Sequence, residues 1–286
     1  MKMAVIGCGL IGGSMALSWK RAGIVDEVIA FGHNPATLQK ALDKGAADTV
    51  TTSMEEAVKD ADIVVSAVPV EAMESVFTGM APFLKSDAVV TDVGSTRQTV
   101  IAAARKGLGD KFHQYAPAHP IAGGEMPGVD YASADLFDEK VVISTPDEGM
   151  DPKVVTFIEE AWRKAGARVQ AMSPLQHDLT FASVSHLPHV LAYALVDMIA
   201  REENAQEKLK MAGAGFRDFT RIASSSPVMW RDICLSNREA LSHELKRYRA
   251  SLDTLQKYID ESDGKALESV FENAVRNRRG LVFPGK

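Results

Sequence analysis

The run Gly7-Cys-Gly9-Leu10-Ile11-Gly12 constrains this 286-residue chain more than any other feature. An apolar run, Met3–Ile6, precedes it and reads as a buried strand. A helical pattern, Leu10–Ala22, follows and stops at Gly23. Strand, glycine turn and helix in that order form the phosphate-binding opening of a βαβ unit. The first glycine permits a tight turn, the second lets a pyrophosphate approach the backbone, and the third lets helix and strand pack closely. The helix N-terminus, at Leu10 and Ile11, offers free N–H groups and partial positive charge to the phosphates. A dinucleotide is the implied ligand.

The rest of the first half agrees. Glu27–Phe31 reads as a second strand. Pro35–Lys44 reads as a helix with proline in its first turn and Gly45 past its end. Ile63–Val68, Ala88–Val93, Tyr115–Ala118, Val141–Ser144 and Ala167–Ala171 read as further strands with helical stretches between them. Such alternation predicts a parallel sheet covered on both faces. After Met172 no strand-like run is found. Leu175–Glu203 has helical periodicity broken only near Pro188, Met229–Glu261 reads as one long amphipathic helix, and Ala266–Arg279 as a last one. The expected architecture is an α/β Rossmann-type dinucleotide-binding domain over residues 1–172. An all-α domain over residues 173–286 follows, and its long apolar faces suit pairing with a second copy.

A formal net charge of −6 argues against nucleic acid as a partner. Two cysteines cannot make a disulfide framework, which points to a reducing, cytoplasmic compartment. No apolar run is expected to reach the ~20 residues of a membrane span. Lys2 followed by Met3–Leu17 has the outline of a short signal peptide, but four glycines interrupt it.

Chemistry-bearing residues cluster at strand ends, where ligands of open parallel sheets bind. The second strand ends in Phe31-Gly32-His33-Asn34, without the acidic residue that would bind a ribose 2′-hydroxyl and repel a 2′-phosphate. The loop therefore favours NADP over NAD, with His33 and Asn34 as the available donors. Val68-Pro69 closes another strand. Asp92-Val-Gly-Ser95 closes a third, and His119-Pro-Ile-Ala-Gly-Gly124-Glu125 follows a fourth. Ser95 and His119 are expected to face the nicotinamide, and Ser95 is also a candidate N-cap for the next helix. The helical domain opens with Gln176-His177-Asp178 and continues to His186 and His189, neighbours on one helix face. H-x-x-H with His177 or Asp178 offers zinc ligands. The H-E-x-x-H pattern is absent and hydride chemistry needs no metal, so no metal site is expected. His177, Asp178 and His186 are candidate gating or support residues of the site, with core histidines bonded to the backbone as the plainer reading of His177 and His186, and His189 suits a substrate or nicotinamide contact. Arg217, Asp218 and Arg221 lie in a small, apolar stretch where a guanidinium fork would suit a substrate carboxylate, with Trp230 within reach.

In this order these motifs resemble the prephenate/arogenate dehydrogenase family of tyrosine biosynthesis, from residue 1 to about 285. The resemblance implies oxidative decarboxylation of prephenate to 4-hydroxyphenylpyruvate, or of arogenate to tyrosine, with hydride transfer to NAD(P)+. It implies that His119 accepts the ring-hydroxyl proton, that Ser95 supports it, and that Arg221 grips a carboxylate. His189 and Trp230 match substrate-site positions. Glu125 and Asp218 match acids that pair with Arg221 and gate the site. A homodimer through the helical domain is also implied. Gly32 departs from members with an acid there. Gly124 departs from members with a larger polar side chain, which leans towards prephenate. Two rivals remain on the residues alone. A 3-hydroxyacid-type NAD(P) dehydrogenase would use a lysine that these motifs lack. A non-enzymatic NADPH-sensing dimer would need no base beside a carboxylate clamp.

Overall fold

The computed structural model describes residues 1–124 and 126–281. Six strands form a parallel sheet: β1 (Lys2–Ile6), β2 (Glu27–Phe31), β3 (Thr49–Thr51), β4 (Ile63–Ser66), β5 (Val89–Asp92) and β6 (Tyr115–Ala116). Their order is β3-β2-β1-β4-β5-β6, with β1 paired in parallel to both β2 and β4. This is the dinucleotide-binding order, and its direction reverses between β1 and β4. The crevice outside the carboxyl ends of these two strands is therefore the expected ligand position. Met3, Ala4, Val5 and Ile6 of β1 are fully buried, because helices cover both faces of the sheet. Those helices are α1 (Leu10–Arg21), α2 (Pro35–Asp43), α3 (Met54–Val58), α4 (Met73–Met80), α5 (Gln98–Leu108) and α6 (Pro152–Lys164). Trp19 of α1 meets Trp162 of α6 edge to face at 5.6 Å, closing one side of the core.

The predicted single strand Tyr115–Ala118 divides at Pro117. Tyr115–Ala116 ends the parallel sheet. Ala118–Pro120 becomes β7 of a separate three-stranded sheet with β8 (Val141–Ser144) and β9 (Arg168–Ala171). β7 runs antiparallel to β8, so the single all-parallel sheet is corrected to two sheets. Proline has no N–H to continue a ladder, and the chain changes sheets there. His119 pairs in register with Ile143 as a result.

The helical half comprises α7 (Pro174–Phe181), α8 (Leu187–Ala200), α9 (Ala205–Lys210), α10 (Ala214–Thr220), α11 (Pro227–Ser236), α12 (Arg238–Asp260) and α13 (Gly264–Gly280). A π-helical turn, Ala182–His186, joins α7 to α8 without a break. Pro188 sits in the first turn of α8, so the irregularity precedes the proline. The continuous helix Pro174–Ala200 contains an 18-residue window with a mean hydropathy of 1.4 and is, by length and composition, long and apolar enough to cross a membrane, against the expectation from sequence. It nevertheless carries His177, Asp178 and His186, all buried in polar contacts with other elements. The predicted helix 229–261 is two helices with a junction at Asn237. Val184, Met198, Leu235 and Phe271 leave apolar surface exposed on the single chain.

Candidate active site

The glycine turn has a distinct geometry at each glycine. Gly7 has φ +94°, and a Cβ there would lie 2.7 Å from the Ala67 carbonyl oxygen. A Cβ on Gly12 would lie 2.5 Å from the Gly7 carbonyl oxygen and 3.0 Å from Val5 Cγ1, so helix and strand touch through it. A Cβ on Gly9 would meet nothing within 4 Å, leaving open space in front of α1. No side chain caps α1 and no acid stands in its first turn. Turn, open approach and uncapped helix N-terminus together fit a dinucleotide pyrophosphate. Val68 and Pro69 follow β4 on the other side of this turn, with Val68 Cγ1 3.0 Å from the position of a Gly7 Cβ.

At the end of β2, Gly32 donates its N–H to the Thr51 carbonyl at 3.4 Å. Asn34 is the N-cap of α2, its side-chain oxygen accepting from Ala36 and Thr37 N–H. That use leaves the Asn34 amide hydrogens and the His33 ring as polar groups of the loop. His33 stands edge to face with Phe31 at 5.2 Å.

The ends of β5 and β7 converge on α7. Asp92 and Arg97 form a fully buried pair, with Arg97 Nη2 donating to Asp92 Oδ2 at 2.6 Å and Nη1 to Oδ1 at 3.1 Å. The Tyr115 hydroxyl and the Gly94 N–H also donate to Asp92, at 2.5 and 2.7 Å. This cluster sets the path of the loop that carries half-buried Ser95. Ser95 is not the cap of α5. Arg97 stands at the N-cap without a side-chain bond of that kind, and Asp178 supplies the acceptors from the other half of the chain. Asp178 Oδ1 accepts the Arg97 N–H at 2.8 Å, and Oδ2 accepts the Gln98 N–H at 2.9 Å. Proximity of a carboxylate to a helix N-terminus is favourable for charge as well as for hydrogen bonding.

The same carboxylate holds His177, whose Nδ1 lies 2.9 Å from Asp178 Oδ1. His177 Nε2 lies 2.8 Å from His119 Nδ1. Phe181 stacks on His177 with ring centres 4.4 Å apart. Burial would raise the Asp178 carboxyl, but bonds from His177, Gln98 and Arg97 hold it below the usual range. Burial, with His177, Arg97 and His186 nearby, holds His119 well below the ordinary histidine value. Burial lowers His177 too, against the opposing pull of Asp178. Burial takes His186 down to about 4. Neither buried histidine follows the plainer reading of a ring bonded to the backbone: among the described residues His177 bonds two side chains, and His186 Nδ1 faces the Asn237 amide nitrogen at 3.1 Å. Both nitrogens of His177 are thus engaged, which removes it as a zinc ligand.

On the helical side, His189 lies face to face with Trp230, centres 3.6 Å apart, and its Nδ1 lies 2.9 Å from the Ser185 carbonyl. Burial and the nearby charge of Arg221 disfavour its protonation, against the Ser185 bond. Arg221 starts the turn after α10, and Asp218 is exposed one turn earlier. Asp218 has no ion-pair partner among the described residues, and Glu125 lies outside them. Gly124 is exposed, with Leu10 Cδ2 3.4 Å from the position of its absent Cβ, so its loop borders the nucleotide turn. Sequence reasoning missed Asn237, which donates to the Asp178 carbonyl at 2.8 Å and faces His186. Asparagine's preference for helix C-termini was the available signal. It also missed the Asp92–Arg97–Tyr115 cluster, for which an arginine five residues after a strand-end aspartate was the only hint.

Residues 15–171 match the family model for the nucleotide-binding domain of prephenate dehydrogenase, and residues 173–273 match its dimerization domain. The chain is 36% identical to a cyclohexadienyl dehydrogenase of Zymomonas mobilis, over 98% of this chain and 95% of the relative. It is 34% identical to a prephenate dehydrogenase of Bacillus subtilis, over 98% and 76%. The crystal structure of prephenate dehydrogenase from Aquifex aeolicus, in complex with hydroxyphenyl propionate and NAD+, superposes with a TM-score of 0.90 at 34% identity, covering 98% of each chain. Synechocystis arogenate dehydrogenase superposes with a TM-score of 0.82 at 27% identity, covering 99% of this chain and 100% of that one.

Proposed function

The chain belongs to the prephenate dehydrogenase family, and we propose that it oxidises and decarboxylates prephenate to 4-hydroxyphenylpyruvate with NAD(P)+ as hydride acceptor. A bound nicotinamide supplies the hydride acceptor, at the crevice beside the glycine turn. His119 removes the proton of the ring hydroxyl while hydride leaves the same carbon, and loss of the ring carboxylate as CO2 completes the aromatic ring, whose oxygen takes the proton back from His119 to give the phenol. The observation that carries this reading is the setting of His119: half-buried at the end of β7, with one ring nitrogen committed to His177 and its protonation disfavoured by burial. A neutral imidazole is what a general base requires, and activity falls once acid protonates it. Ser95 lies on the adjoining loop as a support for base and cofactor. Arg221 takes a substrate carboxylate, with His189 and Trp230 as the wall beside it, and Asp218 and Glu125 as the acids that gate it. Residues 1–172 hold the nucleotide, and residues 173–286 complete the substrate site and pair with a second copy.

Prephenate is favoured over arogenate because Gly124 offers no acid to an amino group. NADP+ is accepted at least as well as NAD+, because Gly32 leaves the ribose 2′ position without a carboxylate. The free thiols Cys8 and Cys234 suit a cytoplasmic enzyme. Absorbance at 340 nm with purified protein, prephenate or arogenate, and each cofactor in turn tests the reaction, the substrate preference and the cofactor preference. No reduction with either substrate refutes the reaction. A kcat/KM ratio favouring NAD+ tenfold, about 1.4 kcal/mol, refutes the cofactor reading.

A further inference from the structure

Resting on that reading, we propose that His177 and Asp178 are positioning residues that fix His119 in the one tautomer able to act as a base. The chain of bonds has a direction. Asp178 receives backbone N–H groups from Arg97 and Gln98, so its carboxylate is an acceptor on both oxygens. Ionised, it has no hydrogen to offer, and His177 Nδ1 must carry the hydrogen in the 2.9 Å contact between them. A neutral His177 then has a bare lone pair on Nε2. That lone pair faces His119 Nδ1 at 2.8 Å, so His119 Nδ1 must carry the hydrogen there. His119 Nε2 is consequently unprotonated and ready to accept a proton. Once it accepts, the imidazolium charge is met through His177 by the Asp178 carboxylate, and no proton needs to move beyond His119.

The surroundings hold this direction. Phe181 stacks on the His177 ring and fixes its plane. Asn237 grips the Asp178 main chain, and α5 takes both carboxylate oxygens. If the acid became an amide, its NH2 could donate to His177 Nδ1. His177 Nε2–H would then donate to His119 Nδ1, leaving the hydrogen of His119 on Nε2, where it blocks the reaction. In Ser-His-Asp hydrolases the same exchange of aspartate for asparagine leaves geometry intact and costs about 10⁴-fold in kcat through the wrong tautomer.

The test combines ¹⁵N NMR of histidine-labelled full-length protein with steady-state kinetics. Without substrate at pH 7.5, the wild type is expected to show His119 Nδ1 protonated and Nε2 bare, assigned by difference from His119→Asn. Asp178→Asn should reverse the two signals and lower kcat by about 10²–10⁴-fold. The cofactor dissociation constant should stay within about threefold of wild type. His177→Gln keeps an acceptor oxygen for His119 Nδ1–H and leaves the Asp178 cap on α5, so it should retain more kcat than His177→Leu. A bare Nδ1 on His119 in the wild type overturns the proposal, as does an Asp178→Asn protein with unchanged tautomer and kcat. Should Asp178→Asn fail to fold, the wild-type tautomer and the His177 pair still decide. If the wild type reduces neither cofactor with prephenate, the reaction reading fails, while the tautomer measured without substrate stands or falls separately.

Discussion

Removing the Asp92 carboxylate should be among the costliest single changes in this fold. Asp92 and Arg97 are both fully inaccessible to solvent. The guanidinium donates twice to that carboxylate and, among the described residues, otherwise reaches only the Thr96 and Ala118 carbonyls. Asp92→Ala therefore leaves a buried cation without its counter-charge, and it also strips the Tyr115 hydroxyl and the Gly94 N–H of their acceptor. Breaking a buried pair from one side costs about 3–5 kcal/mol. At roughly 2–4 °C per kcal/mol for a domain of this size, the midpoint should fall by on the order of 6–20 °C. The pair itself is a different quantity, because its Coulomb gain is spent largely on desolvation. Arg97→Met added to Asp92→Ala removes the stranded charge and should recover at least half of the loss. Urea and thermal unfolding followed by far-UV circular dichroism give all four corners of the cycle. A loss under ~1 kcal/mol for Asp92→Ala, or a double variant no more stable than the single, would show that the buried charge is not what holds this loop.

Other outcomes follow from the same geometry. His119→Asn should bind cofactor normally in a fluorescence titration and lose about 10²–10⁴-fold in kcat; retention above about a tenth of wild type removes it as the base. Arg221→Ala should raise KM for prephenate roughly 10–200-fold with a smaller change in kcat, as expected for about 1.5–3 kcal/mol of charge-assisted bonding, and an unchanged KM removes it from the carboxylate. Gly32→Asp should move preference towards NAD+ in paired kcat/KM measurements, adding an acceptor for the ribose and repulsion for a 2′-phosphate. Leu38 Cδ2, 3.3 Å from the new Cβ, needs only a small adjustment. Acid should weaken the fold before it protonates most carboxylates. Burial depresses His119, His177 and His186, so below about pH 6.5 the unfolded chain binds protons that the folded one refuses, and stability falls with pH. His186, taken from 6.5 down to about 4, accounts for roughly 2 kcal/mol of that loss by pH 5. Urea midpoints at pH 7.5 and pH 5 check this, and His186→Gln should flatten the difference.

What was legible from the chain alone was whatever a short segment states through its own backbone. The three glycines can be assigned separate jobs because each job is a local demand, a positive φ, an open approach or a close contact, and each holds in the structure. Strands β2 and β8 were readable to the residue, since apolar runs bounded by turns leave little choice. The division at Pro117 was missed although proline is a strong signal. Two short apolar pieces read as one strand until their partners are known, and those partners lie in different sheets. The π-turn at Ala182–His186 was invisible for a related reason. One extra residue per turn rotates the helix face without breaking the apolar pattern on either side.

The candidate site divides along the same line, and the division explains why the histidines were found and the bonds between them were not. His119, His177 and Asp178 each drew notice as polar residues in chemistry-bearing runs. Nothing local joins His119 to a ring 58 positions later, or joins Asp178 to the N-terminus of a helix 80 positions earlier. Those bonds exist only because β7 leaves the parallel sheet and α7 docks across the end of β5. His177 therefore read as a support residue or a core histidine, with no partner that the sequence could name. Its surroundings instead give it an acceptor on one nitrogen and a donor on the other. Charge at this junction is disposed so that each buried group has its counterpart: Asp92 on Arg97, Asp178 on the helix N-terminus and on His177. The half-buried end of that chain is His119, the one member with a ring nitrogen left over. In the proposed reading the base is set by Asp178, a carboxylate that reaches His119 only through His177, and a sequence can name all three residues without showing the bonds that join them.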